Sequence, residues 1–549
     1  MSGKIKRYTA MLLAVLTLLS LAACGQSADK DDDYVEGKSA GKELGQTAAA
    51  DDVFTLNCNK KYSMNPLIAT NTNNQLVCNL VYENMLEVSN SFEIIPNIIT
   101  GWKTTDGGQR WVFTVDTSHV FHDGQQLTAT DVSYSMQCAI NSDRFKGRFT
   151  YVYGCSTTDE KTFVVTLAKK NMQFPMLLTV PVIQYGSFNN TYPVGSGPYT
   201  YADDYNSLNA FSKYPNSATL PLKTIYLREY AGVDNTISAF EDSLIDVVMH
   251  DPSANTNLGY GNANEIRGFN TTNMHYIAFN SMSPALSYEY LRFALNYAFD
   301  REYLVDQLGG YAAAACLPVN PASKLYNENY AKQFKYDLKQ VQTILSNAGL
   351  KDYDEDGYLE IKNGETLTEI DIKFLVFSGS TVKVNTAQKF AEDMKSVGIK
   401  VTVNKQDWDH YRTLINAGNY DMYYAEVRLN SDFDPSKLLM TSANLNLGLI
   451  SDEKLESLIS EYLAADDDNR RAACDNMCAY IINKAYLVPL CFEKHQMITH
   501  RGVIEGIKVT ENNPFYNVQN WTVTFENVDK TLTDTKDDAK DYYMRRDER

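Results

Sequence analysis

The stretch VFHDGQQLTATDVSYSM, residues 120–136, sets His122 beside Asp123 ahead of a run of hydroxyl side chains. An imidazole oriented by a carboxylate could act as a general base toward such hydroxyls. The neighbouring residues argue for a different duty. Trp111 to Val115 (WVFTV) alternates as a strand does, His122-Asp123-Gly124 has turn chemistry, and Thr128 stands as an N-cap with Asp131 three residues on. Leu127 and Val132 occupy the positions of a hydrophobic staple. The stretch therefore predicts strand, turn and capped helix, with His122 in a structural role.

A second constellation is DYDEDGYLEIKNGE. Asp352, Asp354 and Asp356 before Gly357 imitate the first half of a calcium loop, but position 12, where a bidentate Glu belongs, is Asn363. The spacing predicts an acidic turn around Gly357. Templates for catalysis are missing: there is no HExxH, no GxSxG elbow and no GxxxxGK[ST] phosphate loop. His275, His410, His495 and His500 lie far apart without ligand spacing and read as surface or packed histidines. No cofactor or metal is expected.

The elements that would position any site begin after an export signal. Lys4, Lys6 and Arg7 precede an apolar run from Met11 to Ala23. That run is shorter than the roughly 20 residues of a membrane-spanning helix. Leu21, Ala22, Ala23 and Cys24 then look like a lipobox, which predicts residues 1–23 as signal peptide and Cys24 as an acylated anchor to the membrane. Residues 24–52 are small, polar and acidic and cannot bury a core, so they read as a leash. Loss of Lys4, Lys6 and Arg7 leaves 47 basic against 68 acidic residues, a net charge of −21. That balance opposes nucleic-acid binding. Beyond Cys24, eight cysteines are scattered without a CxxC pair; Cys474 and Cys478, one helical turn apart, read as buried thiols rather than a bridge, while an exported chain permits a disulfide among the others.

About 475 residues remain, more than one core usually serves, so two or more domains are expected. Ile370, Ile372, Phe374 and Val376 share one strand face. A helix from about Thr386 to Val397 follows, with Gly398 placed to end it, and IKVTVN resumes as a strand. This is a βαβ unit and hence parallel sheet. Leu455, Leu458, Ile459, Tyr462 and Leu463 form a helical stripe behind Ser451 as N-cap; Leu291, Ala294, Leu295 and Ala298 form another. The class is α/β.

Several stretches in order resemble one family, the extracellular solute-binding proteins (family 5) that serve ABC importers for dipeptides, oligopeptides, nickel and related solutes. They are Asn65-Pro66-Leu67 with LVYENMLEV, Pro96, GWKTTDGGQRWVFTV, the opening stretch, Pro193 to Tyr199 (PVGSGPY), FNSMSPALSYEYLRFALNYAFDREYLV, GIKVTV and YLVPLCFEKHQ. The resemblance implies a periplasmic-binding-protein-like fold (type II, cluster C) of two lobes around a hinged cleft, plus an inserted domain. The first lobe would comprise 53–90, 189–280 and 499–526, the inserted domain 91–188, the second lobe 281–498, and 527–549 would be a charged tail. It further implies a monomer without enzymatic activity that clamps a peptide or other small solute and presents the closed form to the permease subunits.

In peptide-binding members a carboxylate four residues before the Pro of an Asp/Glu-Pro pair meets the ligand's amino terminus. Here that pair is Asp434-Pro435 and the position is Ser431. Asp432 or Glu426 could replace it, and Arg428 could hold a ligand carboxylate through its fork. Tyr423, Tyr424, Glu426, Arg428 and Asp432, with Trp408, follow a predicted strand and are the expected cleft residues; Asn71 and Thr72 are the candidates from the first lobe. The alternatives are a receptor for nickel chelate or another small solute, a surface hydrolase, and a glycan-binding lipoprotein using some of the 37 tyrosines.

Overall fold

The computed structural model describes residues 53–254 and 264–524, so the expected signal segment, the Cys24 anchor, the leash and the charged tail lie outside the described residues. The chain opens with β1 (Thr55–Asn57) and helix α1 (Thr72–Val81). Strands β2 (Ile99–Thr104) and β3 (Arg110–Val115), helix α2 (Ala129–Asn141), and strands β4 (Val152–Asp159) and β5 (Thr162–Leu167) follow. They make an antiparallel sheet in the order β2-β3-β5-β4. Alternation in β3 buries Trp111, Phe113 and Val115, as period two requires. Strands β6 (Tyr199–Tyr201), β7 (Ser207–Ala210) and β8 (Thr224–Arg228) return to β1, giving the order β1-β8-β7-β6 with β1 parallel to β8.

The opening motif is scaffold. The backbone N–H and Oγ1 of Thr128 both donate to the Asp131 carboxylate at 2.9 Å, which fixes the start of α2. His122 donates its backbone N–H to the Gly195 carbonyl at 2.9 Å, its Nε2 lies 3.1 Å from the Gly197 carbonyl, and its ring packs edge-on against Phe211. Burial pushes the imidazole down to about 4, so it stays neutral and holds the PVGSGPY segment in place. Gly197 must be glycine there: a Cβ would sit 2.7 Å from the Leu80 and Val81 carbonyl oxygens at the end of α1.

The third sheet is mixed and has seven strands: β9 (Val247–His250), β10 (Asn264–Phe279), β11 (Ala312–Ala314), β12 (Asp371–Phe377), β13 (Lys400–Gln406), β14 (Met422–Arg428) and β15 (Leu487–His500). Its order is β9-β15-β10-β14-β12-β13, with β11 added on β15. Helices α3 (Glu289–Leu295), α4 (Thr381–Ser396), α5 (Glu453–Ala464) and α6 (Arg470–Lys484) pack around it. The βαβ unit is β12-α4-β13, parallel and in register from Asp371 against Lys400 to Phe377 against Gln406. Helix α4 starts earlier than expected because Ser380 caps it, and Gly398 at φ 80° ends it. Helix α5 buries all five residues of its stripe, but its cap is Asp452 rather than Ser451: the Asp452 carboxylate accepts from the N–H groups of Lys454 and Leu455.

Strands β10 and β15 run side by side past the expected lobe boundary at 498 and up to that at 280. Phe269 and Met497 belong to the apolar core formed by residues 54–227 and 503–521, whereas Met274, Tyr276 and Phe492 belong to a core on the large sheet. The change of core therefore falls inside the paired strands, where the register shifts between Asn270 and Met274. Continuous strands carry no loop composition to mark such a point in the sequence.

Candidate ligand-binding site

Strand β14 carries most of the expected cleft residues, and its alternation splits them. Tyr423 is 1% exposed and packs edge-on against Tyr276 and Tyr420, so its ring is core. Tyr424, on the opposite face and equally buried, bonds through its hydroxyl to His275 Nδ1 at 2.9 Å. Two residues on, Glu426 lies directly across from His275 in the β10–β14 register. Its Oε1 accepts from Lys383 Nζ at 3.0 Å and its Oε2 lies 3.2 Å from His275 Nε2. Burial opposes the charge on Glu426, yet Lys383 and His275 outweigh it and hold the carboxyl down to about 2.

His275 is fully buried between that carboxylate and Glu493, whose Oε1 is 2.5 Å from the same nitrogen. Burial disfavours the imidazolium, but Glu493 and Glu426 raise it to about 9. Glu493 also receives Asn273 Nδ2 at 2.6 Å and faces His495 Nε2 at 3.3 Å. Sequence spacing missed this row because its members come from different strands. The legible trace is Glu493 and His495 two apart in a strand, hence on one face.

Arg428 closes a different contact. Its Nε and Nη2 reach Glu511 Oε1 at 2.9 and 2.8 Å, and Glu511 also accepts from the backbone and hydroxyl of Thr272. This ties the sheet to the returning segment that follows β15. Beyond it, the NSDFDP loop is bent by Phe433, a non-glycine residue at φ 52° whose ring is wedged between Phe92 and Phe492. The wedge holds Asp432 in the interior, with Asp434 half-buried two residues on. Asp432 Oδ2 accepts from Asn171 Nδ2 at 3.3 Å and Oδ1 from the Asp434 N–H at 3.2 Å. Burial, then the neighbouring Asp434, push Asp432 up to about 7. Arg148, lowered to about 10 by burial and then by Arg428, completes the surroundings.

The remaining candidates sit apart in their bonding. Asn71 caps α1 by accepting from the Asn74 N–H at 3.1 Å, and Thr72 is the exposed first residue of that helix. Trp408 is 41% exposed and stacks on Tyr411, whose hydroxyl donates to the Tyr424 carbonyl. The acidic turn gains a fourth carboxylate that the calcium-loop pattern did not anticipate: Glu360, buried, converges with Asp352, Asp354 and Asp356, while Asn363 pairs with Thr366 in a hairpin. All eight described cysteines are free, with Cys474 and Cys478 sulfurs 3.9 Å apart.

The profile of the bacterial extracellular solute-binding proteins, family 5 (middle), matches residues 93–446. The chain belongs to this family. It is 25% identical over 469 residues to the oligopeptide-binding protein AppA of Bacillus subtilis, covering 76% of this chain and 80% of AppA. The structure of that AppA with a nonapeptide superposes with a TM-score of 0.60 at 19% identity, covering 87% of this chain and 100% of AppA's. NikZ of Campylobacter jejuni, solved with Ni(L-His), gives 0.63 at 18% identity, covering 86% and 99%. The fold is that of a type II periplasmic binding protein. As a family 5 solute-binding protein the chain is the extracytoplasmic binding component of an ABC importer and not an enzyme. No helix among the described residues is long and apolar enough to cross a membrane.

Proposed function

We propose that this solute-binding protein captures short peptides between two lobes that meet along β10 and β15, with Asp432 receiving the ligand's amino terminus. One observation carries the reading: Asp432 is a buried carboxylate whose ionisation is opposed by desolvation and by Asp434. An arriving ammonium supplies the missing positive charge and favours the carboxylate, so the proton that the group retains near neutrality is released to solvent. Asp432 follows by one residue the Ser431 that stands where peptide-binding members place Asp, and the left-handed turn at Phe433 allows that shift. AppA's oligopeptide specificity and its nonapeptide complex support the same class of solute.

Contacts between the halves would accompany closure: Arg428 to Glu511, Asn171 to Asp432, and the Met172 N–H to the Leu463 carbonyl at 2.7 Å. A ligand that binds the closed form better shifts the population toward it, and the permease reads that form. The lipobox ending at Cys24 supports tethering by an acylated cysteine, with the monomer held at the outer face of the membrane. The competing solute is a metal chelate, on the likeness to NikZ.

Native mass spectrometry of protein purified without refolding identifies a carried solute. Calorimetry with a tripeptide and its N-acetylated form then tests the anchor. Loss of at least tenfold in affinity on acetylation, and a matching loss in Asp432→Asn, is expected; equal binding of both peptides overturns the assignment.

A further inference from the structure

The carboxylate–imidazole row on the paired strands has a geometry that its role as an ion-pair network does not require. Each oxygen of Glu493 faces its own imidazole and its own second carboxylate. Around Oε1 stand His275 Nε2 at 2.5 Å and, beyond it, Glu426 Oε2 at 3.2 Å from that nitrogen. Around Oε2 stand His495 Nε2 at 3.3 Å and Asp251 Oδ2 at 3.9 Å from that nitrogen. In both groups the donor atoms all lie within 4.8 Å of one another. Donors around a tetrahedral zinc ion at 2.0–2.1 Å are about 3.3 Å apart, so the four separations bracket the required value. Changes of about 0.8 Å or less in these separations would admit an ion to either group.

We propose that these five residues form a two-ion site for a divalent first-row transition metal of the zinc class, with Glu493 as the bridging carboxylate. One ion takes His275, Glu426 and Glu493; the other takes His495, Asp251 and Glu493. Two carboxylates and one imidazole per ion suit such cations, and each ion keeps a position for water. The supporting partners are those a metal site uses. Tyr424 accepts from His275 Nδ1 and so directs the Nε2 lone pair at the ion, while Lys383 occupies Glu426 Oε1 and leaves Oε2 for coordination. Asn273 orients Glu493 from the side. Entry is open at both ends, since Glu426 and Asp251 are 36% and 43% exposed, while Glu493 between them is fully buried. Each ion that enters displaces one imidazole proton to solvent, so the row gains one positive charge per ion against its three carboxylates. The ligands come from β10, β14, β15 and the residue after β9, so bound ions would cross-link the strands along which the two cores meet.

The test uses the full chain, freed of metal with a chelator, loaded with zinc and desalted, with zinc per chain counted by elemental mass spectrometry. Wild type retains two equivalents. Asp251→Asn and Glu426→Gln, each at an open end of the row where folding is least at risk, retain one each, the lost ion binding at least tenfold more weakly. Asp354→Asn, in the separate acidic turn, retains two. Any other pattern of counts overturns the shared site, and circular dichroism on each variant confirms that the counts refer to folded protein.

Discussion

Two buried charge groups lie within a few residues of each other on and after β14, and they behave in opposite ways. In the row around Glu493, Glu426 and Glu493 are held below their ordinary range because imidazoles and Lys383 stand against them, while Asp251 at the far end is raised by burial and then by Glu493. In the NSDFDP loop, Asp432 and Asp434 are both raised by burial, Asp434 adds to the rise of Asp432, and Lys437 returns less than that. The first group is satisfied within the protein. The second is short of positive charge and sits beside a strained turn, the condition expected of a place where a ligand contributes the missing partner. Burial by itself therefore does not mark the anchor for a peptide ammonium; a carboxylate short of positive charge does.

The sharpest way to break this contrast is to remove the centre of the satisfied row. Glu493→Leu leaves His275 buried without its nearest counter-charge, and a loss of about 3–5 kcal/mol in unfolding free energy is expected from urea denaturation. Asp432→Asn comes next, with a weakening of peptide binding by ~2 kcal/mol or more, read by calorimetry. The same variant sharpens the comparison in the unliganded protein. Asp432 is raised from 3.8 to about 7 on folding, so its ionisation penalty is absent at low pH and complete above about 7. Asp432→Asn should then melt higher than wild type at pH 8, with the gap closing toward pH 4.

His275 gives the opposite pH signature. Its folded pKa is raised from 6.5 to about 9, so the stability it brings is complete below 6.5 and is lost as pH rises through 9. The melting difference between wild type and His275→Gln should shrink between pH 7 and pH 10; a constant difference would refute the ion-paired assignment. The smallest effect is expected from Glu511→Gln, since its partner Arg428 is half exposed and solvent screens the pair, leaving a change of about 1 kcal/mol or less in stability.

Local signals in the chain were legible wherever one segment contains the whole cause. The capping pair Thr128 and Asp131, the alternation of WVFTV, the βαβ unit around α4 and the stripe of α5 each depend on residues within a turn or two, and each appears as read. The order of family motifs likewise carried the fold class, because a motif string is linear. Site residues were legible only as a neighbourhood. Strand position pointed to Tyr423 through Arg428, but alternation sends Tyr423 into one core and Tyr424 and Glu426 to the other face, toward His275, 149 positions from Tyr424.

By itself, then, the sequence determined the α/β class, the capping pair of α2 and the turn at His122-Asp123-Gly124, and the membership that makes this a binding component of an importer. Tertiary structure alone decided which charges meet. Glu493 reaches His275 through strand register and a bulge, Asp432 reaches Asn171 across the molecule, and neither pairing leaves a periodic trace in the chain. The physical reason is that capping and amphipathicity are set by neighbours a few residues apart, whereas the electrostatics of a buried carboxylate is set by whatever distant strand is brought within about 4 Å of it.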